Sequence, residues 1–203
     1  LILYQRTDCP FCWKVRLALC ELNIPFQIME CELGQPNPLL TTLSPTKTVP
    51  VLVDDEVVIW DSAVILEYLS ESYSYSELFP SPPVDTALNR LVHTYSDKQV
   101  GIALRQIVAE KRSKPESSWD TDMLFELEKE WQVCLEYLEQ QIDTIAKTNG
   151  LSAAECALAA RFGVAEAYGV SVNEQFVALR NWFAKVKNNE TWSRAYPTSF
   201  IRN

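Results

Sequence analysis

The chain has 203 residues, of which 47% are hydrophobic and 22% charged, and its formal net charge is −9 at pH 7. This length and composition predict one or two globular domains that can bury a sizeable core. The acidic balance argues against a nucleic-acid partner, which normally meets a basic face. We expect no membrane span, because no run of about 18 apolar residues occurs, and no secretory signal at LILYQRTD, which lacks a basic lead.

Short strands are predicted to alternate with helices over the first seventy residues. The apolar runs LILY (which contains Tyr4), IPFQIMEC, VPVLV and VVIW favour strands, and the last two flank DDE and so predict an antiparallel hairpin. A second helix is predicted over DSAVILEYL, with Asp61 or Ser62 as its cap. A first helix is predicted after CPFC, with one apolar face formed by Phe11, Val15, Ala18, Leu19 and Leu22. This order is typical of an α/β domain.

The pattern changes at SYSYSELFPSPPVD, where three prolines and several serines predict a linker. The remainder is helical in pattern. At LSAAE, Ser152 and Glu155 form a capping box, with Leu151 and Cys156 in the positions of a hydrophobic staple. After Trp119 one helix face is predicted to carry Leu124, Leu127, Trp131, Leu135, Leu138, Ile142 and Ile145. The last predicted helix, NEQFVALRNWFAKVK, groups Phe176, Leu179, Phe183 and Val186.

Six cysteines are too dilute in this chain for a disulfide scaffold, so we expect a reducing, cytoplasmic compartment. Zinc needs about four ligands, and CPFC has no second CxxC beside it, so no metal is expected. The single histidine, His93, leaves no Cys–His catalytic pair unless it lies beside Cys9. Four cysteines are predicted to be small core residues, and these are Cys20, Cys31, Cys134 and Cys156.

The motif CPFC, at positions 9–12, follows a strand and opens a helix. Pro10 then occupies the first helical position, where its fixed φ and missing N–H are tolerated. The free amides and dipole of this helix start would stabilise a Cys9 thiolate and lower its pKa, whereas Cys12, one turn further on, would keep a higher pKa. Such a pair suits thiol–disulfide exchange, in which one sulfur attacks and the other can resolve the mixed disulfide.

Two further motifs each have two interpretations. A cis bond at Val49-Pro50 would leave backbone groups free to pair with an extended peptide, whereas a trans bond would mark the start of an edge strand. Ser62 and the neighbouring amides could bind a carboxylate or form a plain helix cap. Taken alone, the first motif favours a trans proline at the start of an edge strand, and the second favours a plain helix cap.

Together, CPFC with KVRLAL, TVPVLVDDEVVIWDSAVILEYL, the Pro-rich linker and LSAAECALAARF make the chain resemble a cytosolic glutathione transferase over nearly its whole length. The cysteine makes it similar to the omega-like and glutaredoxin-like branch. The resemblance implies a thioredoxin-like α/β domain at residues 1–75, a linker at 76–84 and an all-α domain at 85–203. It also implies a homodimer. The helix after the linker has wide apolar coverage, which fits either a dimer face or burial on two sides within one monomer.

The resemblance also implies which residues bind glutathione. These are Phe11, Lys47, Thr48, Val49, Pro50, Asp61 and Ser62. Val49, ahead of a cis proline, would pair its backbone with the cysteinyl part of glutathione. Asp61 and Ser62 would hold the γ-glutamyl end, and Lys47 or Thr48 would approach the glycyl carboxylate.

The implied activity is that of a glutathione-dependent thiol transferase with Cys9 and Cys12 as catalytic residues. The Cys9 thiolate would attack a small disulfide or a glutathionylated substrate, and free glutathione or Cys12 would resolve the mixed disulfide. Reduction of dehydroascorbate would use the same thiolate, while conjugation of glutathione to an electrophilic substrate is less natural for a cysteine. The alternative is a non-enzymatic regulatory or binding protein of the same fold.

Overall fold

The computed structural model describes residues 1–32, 35, 37–73, 78–146 and 150–201. Its mixed sheet has four strands, in the order β2-β1-β3-β4. These are β1 Ile2–Gln5, β2 Gln27–Glu30, β3 Val51–Asp54 and β4 Val57–Trp60. The β1–β2 pair is parallel, and the β1–β3 and β3–β4 pairs are antiparallel. The hairpin predicted around DDE is therefore confirmed, and Tyr4 is a strand residue that pairs with Val51.

Helices make up the rest of the regular structure. They are α1 Pro10–Glu21, α2 Pro38–Leu43, α3 Ser62–Ser72, α4 Pro83–Tyr95, α5 Gly101–Ser113, α6 Thr121–Ile145, α7 Ala153–Ala167, α8 Val177–Lys187 and α9 Glu190–Ala195. Past α3, the described residues contain helices and no strand, so an α/β first part followed by a helical region is confirmed. Within the described residues, no helix has the length and apolar character needed to cross a membrane.

The connection between the two parts is shorter than predicted. Helix α4 begins at Pro83, within the last two positions of the expected linker, and residues 76 and 77 of that linker lie outside the described part. Leu78 is buried and its carbonyl accepts a hydrogen bond from the Ala153 amide at 2.7 Å. This end of the connection is therefore packed against the start of α7.

Helix α1 is buried almost all round, which the one-sided apolar pattern did not indicate. Residues 12–20 are all buried, because α3 packs on one side of the helix and α7 and α9 on the other. The buried set includes the charged residues Lys14 and Arg16. The prediction that Phe11 joins the core face was wrong: the residue is 36% exposed, because it lines two open cavities at the start of the helix.

The helical region follows its predicted pattern closely. All seven residues of the predicted α6 face are buried. The capping box of α7 is present, with the Glu155 amide donating to Ser152 Oγ at 3.3 Å and the Ser152 amide donating to Glu155 Oε2 at 3.0 Å. The group of four predicted on α8 is also buried, although Phe176 precedes the helix as its cap.

Two details of this region differ from the prediction. Helix α8 is not the last helix, because α9 follows it; six residues are too few to show a helical period in sequence. Cys134 is only half-buried, since it lies at the edge of the α6 core face, whereas Cys20, Cys31 and Cys156 are buried. All six cysteines are free thiols.

The single helix expected after the linker is interrupted by a π-helical turn. This turn, Ser96–Val100, separates α4 from α5. π turns insert an extra residue and often occur at functional sites. On either side of it, Leu91 and Ile102 are exposed, whereas Val92 and Leu104 are buried. Some of the apolar residues on α4 and α5 therefore pack into the core, and others are exposed on the surface.

The contact between α1 and α7 depends on a glycine. The Trp13 ring is fully buried and packs on Trp192, with ring centroids 4.8 Å apart. A Cβ atom added at Gly163 of α7 would lie 2.3 Å from the Trp13 ring and 2.6 Å from the Trp192 ring. Gly163 therefore lets the two helices approach more closely than any other residue would.

We predict that Gly163→Ala lowers the free energy of unfolding by about 1–3 kcal/mol, because two packed indole rings must move. At a helix position with open space around it, the same change would raise the free energy of unfolding by up to about 1 kcal/mol. The sign of the change therefore distinguishes a close helix contact from an open position. Urea denaturation gives the value, with exposed Gln106→Ala on α5 as a control expected to change it by less than about 0.5 kcal/mol. A stabilised Gly163→Ala would contradict this close contact.

Candidate functional site

A cavity of about 850 Å³ lies beside the first turn of α1. Cys9 lines it, together with every residue predicted to bind glutathione, namely Phe11, Lys47, Thr48, Val49, Pro50, Asp61 and Ser62. The fold thus brings together three separate stretches of the chain that the sequence motifs had singled out. Cys12 is not part of the lining, because it is fully buried behind Cys9.

Cys9 occupies the predicted position at the start of α1. It is the N-cap, with φ −76° and ψ 121°, and Pro10 is the first helical residue. The side chain is 7% exposed, and that exposed part faces the cavity. A small reactant can therefore reach the sulfur, while most of the side chain is shielded from water.

The pKa of Cys9 is lowered to about 6. The largest cause is a hydrogen bond from the Cys12 thiol; burial acts in the opposite direction, and the Cys12 amide, the Arg6 charge and the Phe11 amide add to the lowering. The pKa of Cys12 is raised well above its usual value, chiefly by burial and by the hydrogen bond to Cys9. The predicted asymmetry is thus present. Its main source is the Cys12 thiol, whereas the sequence had pointed to the helix start alone.

The loop that leads into Cys9 is held by hydrogen bonds to α1 and β2. Arg16 of α1 donates to the Thr7 carbonyl at 2.9 Å and to Gln5 Oε1 at 2.6 Å. The Thr7 amide donates to Glu30 Oε1 at 2.5 Å. Because strand, helix and loop are joined by these bonds, Cys9 is fixed relative to the sheet.

The Val49–Pro50 bond is cis, as the resemblance implied. Val49 lies just before β3, and its N–H and C=O groups make no hydrogen bond with any other described residue. Both groups are therefore available to an extended peptide in the cavity, in the manner of an added β-strand.

The sequence left open whether the start of the second predicted helix is a plain cap or a carboxylate site, and the structure assigns the cap to Asp61 and leaves Ser62 unbonded among the described residues. Asp61 is the cap of α3, and its Oδ1 atom accepts from the amides of Ala63 at 2.8 Å and Val64 at 3.4 Å. Its φ of +73° lies in the left-handed region. The hydroxyl and amide of Ser62 make no hydrogen bond within the described part of the chain. Ser62 is therefore the residue at this helix start that is free to bind a carboxylate.

A second cavity, of about 340 Å³, adjoins the first and is also lined by Cys9 and Phe11. Its wall is formed largely by α5 and by residues 6–11, with a smaller part from α7. It includes four arginines, which are Arg6, Arg105, Arg112 and Arg161. These arginines were not predicted as site residues from the sequence. One signal was present in the sequence: Arg161 interrupts the otherwise apolar run CALAARFGV.

Behind both cavities lies a buried charge cluster. Lys14 Nζ contacts Asp97 Oδ2 at 2.5 Å and His93 Nε2 at 2.8 Å, and Arg161 Nη2 contacts Asp97 Oδ1 at 3.4 Å. The Arg161 guanidinium also lies 4.3 Å from the centre of the Phe11 ring. Burial and the Lys14 charge lower the pKa of His93 to about 4. His93 is therefore a neutral residue bound to Lys14, and within the described structure it does not pair with Cys9.

Metal binding has no candidate site in the described part of the chain. No group of three or more His, Cys, Asp or Glu side chains there could hold an ion.

We predict that the alkylation rate of Cys9 rises with pH through a midpoint near 6, because only the thiolate reacts. Cys12→Ala should move the midpoint upward by removing the thiol donor, whereas Cys12→Ser, which retains a donor, should move it less. Rates follow from mass spectrometry of the Cys9 peptide after iodoacetamide treatment, with Cys134→Ala as a control. A midpoint at or above about 8.5 would contradict the assignment of Cys9 as the nucleophile.

Known proteins resemble the chain in both sequence and structure. Residues 3–77 match the family described as "Glutathione S-transferase, N-terminal domain". Glutathione S-transferase U1 of Arabidopsis thaliana is 32% identical over 124 residues, which cover 60% of this chain and 55% of that protein. FtsZ-localized protein A of Caulobacter vibrioides is 29% identical over 185 residues, which cover 86% of this chain and 81% of that protein.

The structural likeness extends over the whole chain. The crystal structure of a glutathione S-transferase from the Antarctic clam Laternula elliptica aligns with a TM-score of 0.83 and 20% identity, covering 100% of this chain and 94% of that one. By sequence, in contrast, the chain spans about half the length of the first curated relatives. Residues 3–77 thus match the N-terminal domain model of the glutathione S-transferases, and the chain as a whole has the fold seen in glutathione transferase structures.

Proposed function

We propose that the protein is a glutathione-dependent thiol transferase of the cysteine type, with Cys9 as its nucleophile. The observation that carries this proposal is a thiolate of pKa about 6 that opens onto a cavity lined by all seven predicted binding residues. Residues 1–75 would form the glutathione-binding domain and residues 85–203 the helical domain that walls the second cavity. The free thiols support a reducing, cytoplasmic setting.

Glutathione would lie in the larger cavity as an extended peptide. The free N–H and C=O groups of Val49 would pair with its cysteinyl part, which places the glutathione sulfur toward Cys9. The Ser62 hydroxyl and amide would bind the γ-glutamyl carboxylate, and the Asp61 carboxylate would bind the ammonium group. Lys47 and Thr48, both exposed at the rim, would approach the glycyl carboxylate.

The reaction would proceed by two thiol–disulfide exchanges. With a mixed disulfide of glutathione and a thiol RSH, the Cys9 thiolate attacks the glutathionyl sulfur, and RS⁻ leaves with the electron pair and takes up a proton. A second glutathione thiolate then attacks the Cys9–glutathione disulfide, which releases glutathione disulfide and restores the Cys9 thiolate. In sum, one mixed disulfide and one glutathione become glutathione disulfide and RSH.

A second candidate function is a regulatory or binding role without catalysis. It is favoured by the likeness to FtsZ-localized protein A, which spans more of this chain than the plant transferase match does. The intact cysteine and its lowered pKa weigh against it. Retention on immobilised glutathione separates the two, because a protein with no working glutathione site would pass through the resin.

We predict that Cys9→Ser abolishes glutathione-coupled reduction of a mixed disulfide, while Cys12→Ser retains turnover because glutathione itself resolves the intermediate. Formation of glutathione disulfide, coupled to glutathione reductase, measures the rate. Equal loss of activity in both variants would indicate a dithiol mechanism in which Cys12 resolves the intermediate. Activity that survives in Cys9→Ser would refute the proposed nucleophile.

We predict that Ser62→Ala weakens glutathione binding by about 1–3 kcal/mol, the loss expected for a hydrogen bond to a charged group. Asp61→Asn is the matched test of the neighbouring residue, because it removes the charge but keeps an oxygen that can cap α3. Calorimetric titration of glutathione into each variant gives the affinity, with thermal unfolding as a control for the helix cap. Unchanged affinity in both variants would leave these residues with a structural role alone.

We further propose a homodimer. Exposed apolar side chains on β4, α3 and α4 support it, and these are Val57, Trp60, Val64, Val84 and Leu91. An isologous pair would bury such residues about a twofold axis. Light scattering should then give about twice the chain mass of 23.2 kDa. A mass equal to that of one chain at micromolar concentration would contradict the pairing.

A further inference from the structure

The second cavity is electropositive although the chain as a whole is acidic. Four arginines line it against two carboxylates, Asp8 and Asp97. Each carboxylate is already shared by two cations. Asp8 accepts from Arg6 at 2.7 Å and from Arg112 at 2.7 Å, and Asp97 is bound by Lys14 and Arg161. The cavity therefore retains an excess of positive charge beside Cys9.

Among the described residues, Arg105 is the arginine of this wall that makes no ion pair. It is exposed. It also lines both cavities, as Cys9 does. An arginine in this position can bind a carboxylate through two parallel hydrogen bonds.

The rest of the wall limits the size and character of a ligand. Ile102, Arg105 and Val108 recur at three-residue intervals on α5 and therefore share one helix face. Leu104 and Val164 add further apolar surface. A volume of about 340 Å³ is at the small end of the range for ligand sites. The cavity thus suits a short apolar body that ends in an anion.

We propose that the second cavity selects an anionic second substrate, a glutathione mixed disulfide whose other half carries a carboxylate, and that Arg105 binds this carboxylate. The inference rests on the proposed function in that it places the leaving thiol of the exchange reaction in this cavity. Arg105 then acts as a specificity residue, because its contact distinguishes an anionic leaving thiol from a neutral or cationic one.

The test uses three mixed disulfides of glutathione that differ in charge and hardly in size. Their second halves are mercaptoacetate, 2-mercaptoethanol and cysteamine, which are anionic, neutral and cationic. The wild-type protein should show the highest kcat/KM for the anionic substrate and the lowest for the cationic one, and added salt should reduce the difference. Equal values for all three would overturn the proposal while leaving the exchange reaction itself intact.

Arg105→Gln should lower kcat/KM for the anionic substrate by about three- to tenfold, the range expected for one partly exposed charged contact, and leave the neutral substrate within about twofold. Arg180→Gln is the matched control, because it removes an exposed arginine from α8 that lines neither cavity. The KM for glutathione should not change. A raised KM for glutathione with equal loss on all three substrates would overturn the proposal and place Arg105 at the glycyl carboxylate instead.

A second measurement does not depend on turnover. The alkylation rate of Cys9 by iodoacetate, divided by that by iodoacetamide, compares an anionic and a neutral reagent of similar size, and the ratio cancels changes in thiolate reactivity. Arg105→Gln should lower this ratio severalfold, and Arg180→Gln should not. If the protein turns over no mixed disulfide but the iodoacetate-to-iodoacetamide ratio falls in Arg105→Gln, the exchange reaction is refuted and the anion site at Arg105 is supported. If the ratio is unaffected, the anion site fails.

Discussion

The Asp97 carboxylate holds together the parts of the molecule on which the site depends. It binds Lys14, which is almost fully buried on α1, and Arg161, which is buried on α7. Removing a cation from water is costly unless a counter-charge meets it. Lys14 and Arg161 can therefore occupy the core between the sheet and the helical region only because the π-helical turn carries Asp97 to them.

This cluster is continuous with the wall of the site. The Arg161 guanidinium lies against the Phe11 ring on one side and Gly101 on the other, where an added Cβ would come within 2.8 Å of its central carbon. Phe11 follows Cys9 by two residues, and both line the two cavities. The packing that neutralises the buried charges thus also orients the first turn of α1, from which the Cys12 thiol and the amides of Phe11 and Cys12 stabilise the Cys9 thiolate.

In the proposed exchange reaction, the two cavities would bind different parts of the disulfide substrate. The larger one offers free backbone groups at Val49 and a free hydroxyl at Ser62, which fit a peptide of fixed structure. The smaller one offers an apolar helix face and arginines, which suit a different and smaller molecule. Since Cys9 lies in both linings, its sulfur can meet a disulfide that spans them. The same fold occurs in a glutathione S-transferase of Laternula elliptica and in FzlA of C. crescentus, so the fold by itself does not specify a function.

Local patterns in the sequence determined the strands, the α6 face, the α7 capping box and the placement of Cys9 at a helix start, because each depends on neighbouring residues and a short period. The same patterns indicated three motifs, and the resemblance that they carry implied one site. Tertiary structure alone decided the burial of α1 on all sides, the π turn at Ser96–Val100 and the main cause of the Cys9 pKa. The arginine-lined cavity was also decided by tertiary structure. Arg6 follows β1, Arg105 is on α5 and Arg161 is on α7, and their spacing in the sequence does not indicate that they line one cavity. Burial and electrostatics depend on what packs against a residue from distant parts of the chain, and no local pattern records it.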